Sequence, residues 1–322
     1  MADTSTAAGP GGSPDGYGPQ GRSEWLDIDW AAHRRWVTIG GRPMNVVELG
    51  SGPPMLLIHG LGGSWQNWLE TIPFFARTHR VVAPDLPGFG DSPLPEEPIS
   101  MPGYAGAMAE LMDALEISSA VVVGNSMGGF IGIELAVRFP ERVERLVLVS
   151  AAGIAIEHQR REPIRTIARG LEFASAWVGA RADVVARRPR LRALLLQTSA
   201  AHPERLPVPI AAEQLRASGK PGWLGAFDAL LSYRIRGRLG EIRCPTLIVW
   251  GDSDRMVPVG DADEFERAIP GARKVIFPDT GHVAMIERPA RFNAVVEEFL
   301  AEAAAPPPRE APPPREAPPA TA

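Results

Sequence analysis

Short apolar runs alternate with helical patterns along most of the chain, and this alternation constrains the fold more than any other feature. PMLLI (54–58), AVVVGN (120–125) and TLIVWG (246–251) are nearly continuous in apolar residues, as strands buried on both faces are. Between such runs, segments like YAGAMAELMDALEI (104–117) repeat apolar residues at helical spacing. The sequence therefore predicts an α/β domain: a mostly parallel, eight-stranded sheet with helices on both faces. One hairpin, turning at Gly40-Gly41, is expected before the parallel part.

The interval 153–240 breaks this alternation and is rich in arginine. Apolar residues recur in it at helical spacing, at Ile164, Ile167, Leu171, Ala174 and Trp177. We expect a helical lid inserted into a core formed by residues 23–152 and 241–304. Such a lid would lie over the edge of the sheet where ligands bind in open α/β folds.

Both ends of the chain have compositions typical of disorder. Residues 1–22 consist largely of small residues, glycine and proline, and residues 305–322 contain the sequence APPPRE twice. Such segments bury too little apolar surface to offset the entropy lost on ordering. We therefore expect two disordered tails that contribute nothing to the core.

Composition narrows the classes of function. Lys and Arg number 33 against 38 Asp and Glu, a formal charge of −5, which gives no reason to expect nucleic acid or an anionic membrane as a partner. Cys244 is the single cysteine, and no metal-ligand spacing occurs. No apolar run approaches the roughly 20 residues of a spanning helix, and the N-terminal residues lack the features of a signal peptide. We expect a cytoplasmic protein with no cofactor or metal, which acts on a small molecule. Its oligomeric state is not indicated.

GNSMG (124–128) follows a predicted strand, precedes a predicted helix and has the form G-x-S-x-G. In that context the serine can be the nucleophile of a strand-to-helix elbow, where glycine tolerates the crowded backbone. The first amide of the helix, that of Met127, would then point at developing negative charge. The alternative is a serine that only caps the helix.

Partners for such a serine occur later in the chain. His282, in the loop DTGHVAM, can serve as the general base. Asp252 and Asp254 directly follow the strand TLIVWG and could orient the imidazole. In HGLGG (59–63), the N–H of Leu61 can join that of Met127 in an oxyanion hole, whereas His59 is expected to shape the loop.

With HGLGG, DLPGFGDS (85–92), GNSMGG, GDSDRMVP and GHVAMIERPARFNAVVEEFL, the chain resembles the α/β-hydrolase superfamily from about residue 34 to 302. The resemblance implies a triad of Ser126, Asp254 and His282, because the family pattern G-x-x-D-x-x-x-P falls on Asp254 rather than Asp252. It also implies an acyl-enzyme mechanism.

GGSWQNW, GNSMGG and GRLGEIRCPTLIVWG resemble most the C–C bond hydrolases of aromatic meta-cleavage products. Those enzymes commonly carry tryptophan after the catalytic histidine, where this chain has Val283, and an arginine in the lid, for which Arg216 is the candidate. Trp177 and Val283 are further candidates for substrate contact. We expect a serine hydrolase acting on a carboxylic ester or related acyl compound. A C–C hydrolase of dienol acids, a cofactor-free perhydrolase and a non-catalytic binding protein are the alternatives.

Overall fold

The computed structural model describes residues 15–154 and 177–302. An eight-stranded sheet has the order β1-β2-β4-β3-β5-β6-β7-β8. Its strands are β1 Arg34–Ile39, β2 Arg42–Leu49, β3 Pro54–Ile58, β4 Arg80–Pro84, β5 Ala120–Asn125, β6 Val143–Val149, β7 Thr246–Gly251 and β8 Arg273–Phe277. β2 is antiparallel to both β1 and β4, and the remaining neighbours are parallel. The predicted mostly parallel sheet is confirmed.

The helices of the described residues connect and cover these strands. The α-helices are α1 Ile72–Phe75, α2 Met101–Ala114, α3 Met127–Arg138, α4 Ala182–Ala186, α5 Pro189–Leu196, α6 Val208–Arg216, α7 Trp223–Ser232, α8 Gly260–Ala268, α9 Ala284–Glu287 and α10 Pro289–Ala301. Short 3₁₀ helices occupy Glu24–Asp27, Trp30–His33, Trp65–Trp68, Pro140–Arg142, Pro203–Arg205 and Arg236–Glu241. Over residues 15–154 and 177–302, no helix has both the length and the apolar character that crossing a bilayer requires.

Both faces of the sheet are buried, which explains why its strands read as unbroken apolar runs. Along β5, Val122 packs in the apolar cluster that includes α2 and α3. Val121 and Val123 point the other way, into the cluster that includes α10. Because successive strand residues face opposite sides, a strand between two helical layers needs apolar residues at every position.

The hairpin between β1 and β2 turns where the sequence predicts. Ile39 pairs with Arg42, and the two residues between them, Gly40 and Gly41, have φ of 54° and 75°. A two-residue turn with both φ angles positive matches the twist of the flanking strands, and glycine adopts it without a steric cost.

Helices α4 to α7 form an insertion between β6 and β7. Its contacts with the core include two hydrogen bonds at 2.9 Å: Asn67 Nδ2 donates to Gln214 Oε1, and Gly222 N–H donates to Gly88 O. Most of the predicted apolar stripe (Ile164, Ile167, Leu171 and Ala174) lies outside the described residues. Trp177, its last member, is 57% exposed, and the Arg181 guanidinium lies over its ring at 4.6 Å.

The structure differs from the predicted N-terminal tail at residues 15–22. Tyr17 is buried, and the guanidinium groups of Arg205 and Arg288 lie 4.5 Å and 5.4 Å from its ring centre. One aromatic ring, contacted by two cations and hydrogen-bonded in the interior, anchors a segment whose remaining composition is typical of disorder. Residues 1–14 and 305–322 lie outside the described residues.

Candidate active site

Ser126 occupies the sharp turn between β5 and α3. Its φ and ψ are 55° and −117°, a conformation that residues with a side chain rarely adopt. A Cβ on Gly124 would lie 2.3 Å from Gly128 O, and one on Gly128 would lie 2.1 Å from Ile58 O. Both glycines of G-x-S-x-G are therefore required by the close backbone approach at this turn.

His282 lies in the loop between β8 and α9 and contacts the carboxylate that follows β7. Its Nδ1 is 2.8 Å from Asp254 Oδ2, and both side chains are buried. The other oxygen of Asp254 accepts the N–H groups of Met256 and Val257 at 2.8 Å and 3.0 Å, which fixes the carboxylate. Asp252 is exposed and bonds Ser253 Oγ at 2.9 Å. His282 is thus paired with Asp254, the aspartate that the motif favours.

The imidazole of His282 is oriented with one nitrogen free. A carboxylate only accepts hydrogen bonds, so Nδ1 carries a hydrogen, and in the neutral ring Nε2 carries the lone pair. Nε2 is buried and has no hydrogen-bond partner in the part of the chain that is described. The main chain is held on both sides, because His282 N–H donates to Ser199 O at 2.9 Å and Asn125 Nδ2 donates to His282 O at 3.1 Å. Asn125 immediately precedes Ser126, so one residue links the candidate base to the candidate nucleophile.

Two backbone donors lie beside Ser126. The loop after β3 approaches it so closely that a Cβ on Gly60 would be 3.1 Å from Ser126 Cβ. Leu61 is the next residue of that loop, and Met127 begins α3, where amides have no intrahelical acceptor. Over the described ranges, neither Leu61 N–H nor Met127 N–H donates to another residue. Both are available to an anion bound at the serine.

His59 shapes the loop, as the sequence indicates. It is fully buried, and its Nε2 accepts Leu86 N–H at 3.0 Å. Nδ1 therefore carries the hydrogen and donates to Gly60 O at 2.8 Å. Burial lowers the pKa of His59, and the nearby Asp85 opposes that shift only in part. The neutral ring ties the loop after β3 to the loop after β4.

The residues predicted to contact substrate are dispersed. Val283 follows His282 directly and is buried. Arg216, at the end of α6, is partly exposed and forms ion pairs with Asp183, at 2.9 Å, and with Glu213. Among the described contacts, neither Arg216 nor Trp177 touches a member of the triad. Arg216 is thus neutralised by its own neighbours on the surface of the insertion.

Sequence reasoning missed three contacts of the site. Asn125 lies inside the G-x-S-x-G motif, and its position next to Ser126 was the one sequence signal that it could contact the site. Ser199 accepts from His282, and Trp223 packs on the HGLGG loop, where a Cβ on Gly62 would lie 3.3 Å from the indole. Both of the latter belong to the insertion, where no motif marks individual positions.

The family model for the alpha/beta hydrolase fold matches residues 53–289. The chain therefore belongs to the α/β-hydrolase family, and it is a hydrolase. It is 32% identical over 283 residues to the 2-hydroxy-6-oxo-2,4-heptadienoate hydrolase of Pseudomonas putida, covering 83% of this chain and 96% of that protein.

Solved structures that are similar to this chain are also hydrolases. The meta-cleavage product hydrolase CumD of Pseudomonas fluorescens IP01 is 30% identical, with a TM-score of 0.65 over 83% of this chain and 97% of that one. Est816, described as an N-acyl homoserine lactone degrading enzyme, is 27% identical, with a TM-score of 0.68 over 82% of this chain and all of its own. These relatives differ in the bond they cleave, so similarity alone leaves the bond open.

The elbow geometry gives a prediction for stability. Gly128→Ala should lower the free energy of unfolding by about 3 kcal/mol, because the added methyl meets the Ile58 carbonyl and cannot be accommodated without moving α3. Gly106→Ala is the matched control: a Cβ there meets nothing within 4 Å, and alanine in a helix should gain about 1 kcal/mol. Urea unfolding followed by circular dichroism measures both. Equal stabilities for the two variants would contradict the crowding at the elbow.

The His282–Asp254 pair gives a prediction for catalysis. Asp254→Asn should lower kcat for hydrolysis by about 10⁴, the loss seen when the aspartate of a serine protease triad is replaced. Asp252→Asn is the control, since that carboxylate is exposed and, among the described residues, bonds only its neighbour, and the kcat of this variant should stay within about twofold of wild type. Steady-state kinetics measure kcat for both variants, and thermal melts check that both are folded. A larger loss at Asp252 would overturn the assignment.

Proposed function

We propose that the protein is a serine hydrolase that cleaves carboxylic esters through an acyl-enzyme on Ser126. One observation carries this proposal: His282, fixed by a buried carboxylate at 2.8 Å, keeps a free Nε2 in the loop that Asn125 joins to the serine. A serine hydroxyl becomes an effective nucleophile only beside such a base.

In the proposed reaction, His282 Nε2 takes the proton of Ser126 Oγ as the oxygen attacks the ester carbonyl carbon. Leu61 N–H and Met127 N–H donate to the oxyanion that forms. Asp254 stabilises the imidazolium, which then protonates the leaving alkoxide so that the alcohol departs. Water, deprotonated by His282, attacks the acyl-enzyme and releases the acid and the serine. The three side chains, two amides and water supply every proton and electron pair, so we propose no cofactor.

We also propose that the insertion, residues 153–240, is the lid of this site. Trp223 at the start of α7 packs on the loop that holds Leu61, and Ser199 accepts the backbone N–H of His282. The insertion therefore contacts both halves of the proposed machinery, and a small acyl substrate would reach Ser126 beneath it. The cytoplasmic location expected from the sequence remains a prediction.

Hydrolysis of a C–C bond in a dienol acid is the second candidate, because relatives of 32% and 30% identity are named for such substrates or for meta-cleavage products. Two observations favour the ester. The position after His282 holds the aliphatic Val283, and Arg216 is paired with Asp183 and Glu213, which a substrate carboxylate would have to displace. An ester bond is also what a lactone-degrading relative implies.

The proposal predicts reaction at one serine. Wild-type protein should hydrolyse p-nitrophenyl esters and be labelled by a fluorophosphonate, and Ser126→Ala should abolish both while the protein stays folded. Ser150→Ala is the matched control: Ser150 is also buried and also has positive φ, at 45°, but follows β6 rather than β5. Mass spectrometry of the labelled peptide identifies the modified residue. Labelling of Ser126→Ala at wild-type rate would rule the mechanism out.

Assays of the wild-type protein with different substrates distinguish which bond it cleaves. Esters and a meta-cleavage dienol acid are compared by kcat/KM, with peroxide-dependent oxidation as a third assay. We expect the ester to exceed the dienol acid by at least about tenfold. The opposite order would establish C–C hydrolysis, oxidation lost with Ser126 would establish perhydrolysis, and inactivity in all three assays with no labelling would favour a binding protein.

A further inference from the structure

A buried carboxylate contacts the main chain of the loop that carries His282. Glu287, the last residue of α9, is fully buried. Its two oxygens each lie 3.0 Å from Gly281 N, and Oε1 lies 3.4 Å from Val283 N. Glu287 therefore binds the backbone on both sides of the histidine without touching the imidazole ring.

The same carboxylate joins two distant segments to this loop. Glu287 Oε2 accepts Ala201 N–H from the insertion at 2.8 Å, and Tyr17 OH at 2.9 Å. The Tyr17 oxygen in turn accepts His202 N–H at 3.1 Å. The N-terminal segment, the insertion and the histidine loop thus meet at one side chain.

Residues 15–18 are held in this position by several further contacts. Gly18 N–H donates to the main-chain oxygen of Glu287 at 2.6 Å. Arg288 Nη1 donates to Asp15 O, and Arg205 Nη2 to Asp15 Oδ1, each at 2.6 Å. Hydrogen bonds at both ends, together with the buried ring of Tyr17, attach the segment closely.

The protonation of the pair suits a hydrogen bond from phenol to carboxylate. Burial raises the pKa of Tyr17, as does the charge of Glu287, so the phenol keeps its proton. Burial also raises the pKa of Glu287, and the N–H groups of Ala201 and Gly281 oppose that shift by stabilising the charged form. The surrounding charged groups are Asp15, Arg205, Arg288 and Asp279, with His202 packed edge-on against the Tyr17 ring.

We propose that residues 15–18 form an N-terminal clasp that positions His282 for proton transfer, with Tyr17 and Glu287 as its positioning residues. The proposal rests on the proposed role of His282 as the base. Because Glu287 binds the amides of Gly281 and Val283, it restrains the main chain on both sides of His282, and displacement of a base by about 1 Å can cost 100-fold in rate. Because the clasp contacts the main chain of the loop and not the imidazole, we expect it to affect kcat and not substrate affinity.

Tyr17→Phe tests the clasp by removing one oxygen. We expect kcat for ester hydrolysis to fall about tenfold with KM within about twofold of wild type. Tyr104→Phe is the matched control, since Tyr104 is a buried tyrosine whose hydroxyl donates to Pro87 O at 3.0 Å, away from the histidine loop. A chain starting at residue 15 should keep wild-type kcat, and one starting at residue 23 should lose at least as much as Tyr17→Phe.

A second measurement needs no substrate. The Nδ1 proton that His282 shares with Asp254 gives a downfield proton NMR signal, assigned by its loss in His282→Asn. In Tyr17→Phe this proton should exchange with solvent at least about tenfold faster, and in Tyr104→Phe it should be unchanged. If Tyr17→Phe and Tyr104→Phe match in both kcat and exchange, the clasp does not position His282 and the proposal is wrong; a lower melting temperature for Tyr17→Phe alone would then make the clasp only structural. If wild-type protein is inactive on esters, the proposed function fails, and the exchange rate alone decides the clasp.

Discussion

The close approach of the first turn of α3 to the end of β3 is the contact on which the rest of the site depends. Gly128 passes so near the Ile58 carbonyl that no side chain fits between them. The strained backbone of Ser126, of a kind that costs on the order of 1–3 kcal/mol, is held by three hydrogen bonds. Ser126 N–H donates to Val149 O at 2.9 Å, and Ser126 O accepts the N–H groups of Phe130 and Ala152, each at 3.1 Å. Widening this contact would separate Ser126 from the loop that carries Leu61.

The remaining parts of the site are joined to this contact by hydrogen bonds between loops rather than by strand pairing. Asn125 reaches His282 O, and Ser199 of the insertion accepts from the same residue. His59 ties the loop after β3 to the loop after β4 through Leu86. Loops that tolerate variation in most proteins are here fixed by buried hydrogen bonds, each of which is costly to leave unmade. The geometry of the triad is therefore a property of several loops held together.

The sheet could be predicted from the sequence because it follows from short-range patterns, whereas the choice of Asp254 as the partner of His282 was implied by the family pattern in GDSDRMVP. Strands buried on two faces are continuous in apolar residues, and GNSMG and GDSDRMVP carry their own turn geometry. The docking of Tyr17 could not be predicted, because its hydrogen-bond partner lies 270 residues away and nothing in the surrounding Gly- and Pro-rich sequence suggests burial. The one signal was a single aromatic residue in the segment 1–22. Arg216 is the converse case: position suggested a substrate contact, but Asp183 and Glu213, which neutralise it, are visible only in three dimensions.

His282 has two buried carboxylates near it, and their different contacts give them different tasks. Asp254 touches the ring at Nδ1, so in the proposed reaction its charge would act directly on the imidazolium that forms when Ser126 is deprotonated. Within residues 15–154 and 177–302, Glu287 bonds only to backbone amides and to the Tyr17 phenol, and these donors do not release a proton at neutral pH. A second carboxylate in contact with the imidazole would compete for the proton that the proposed reaction moves. A carboxylate that binds the flanking amides instead fixes the loop, and it leaves proton transfer between Ser126 and His282 undisturbed. The separation of these tasks explains why a carboxylate can be buried so close to the proposed base without acting as a rival to it.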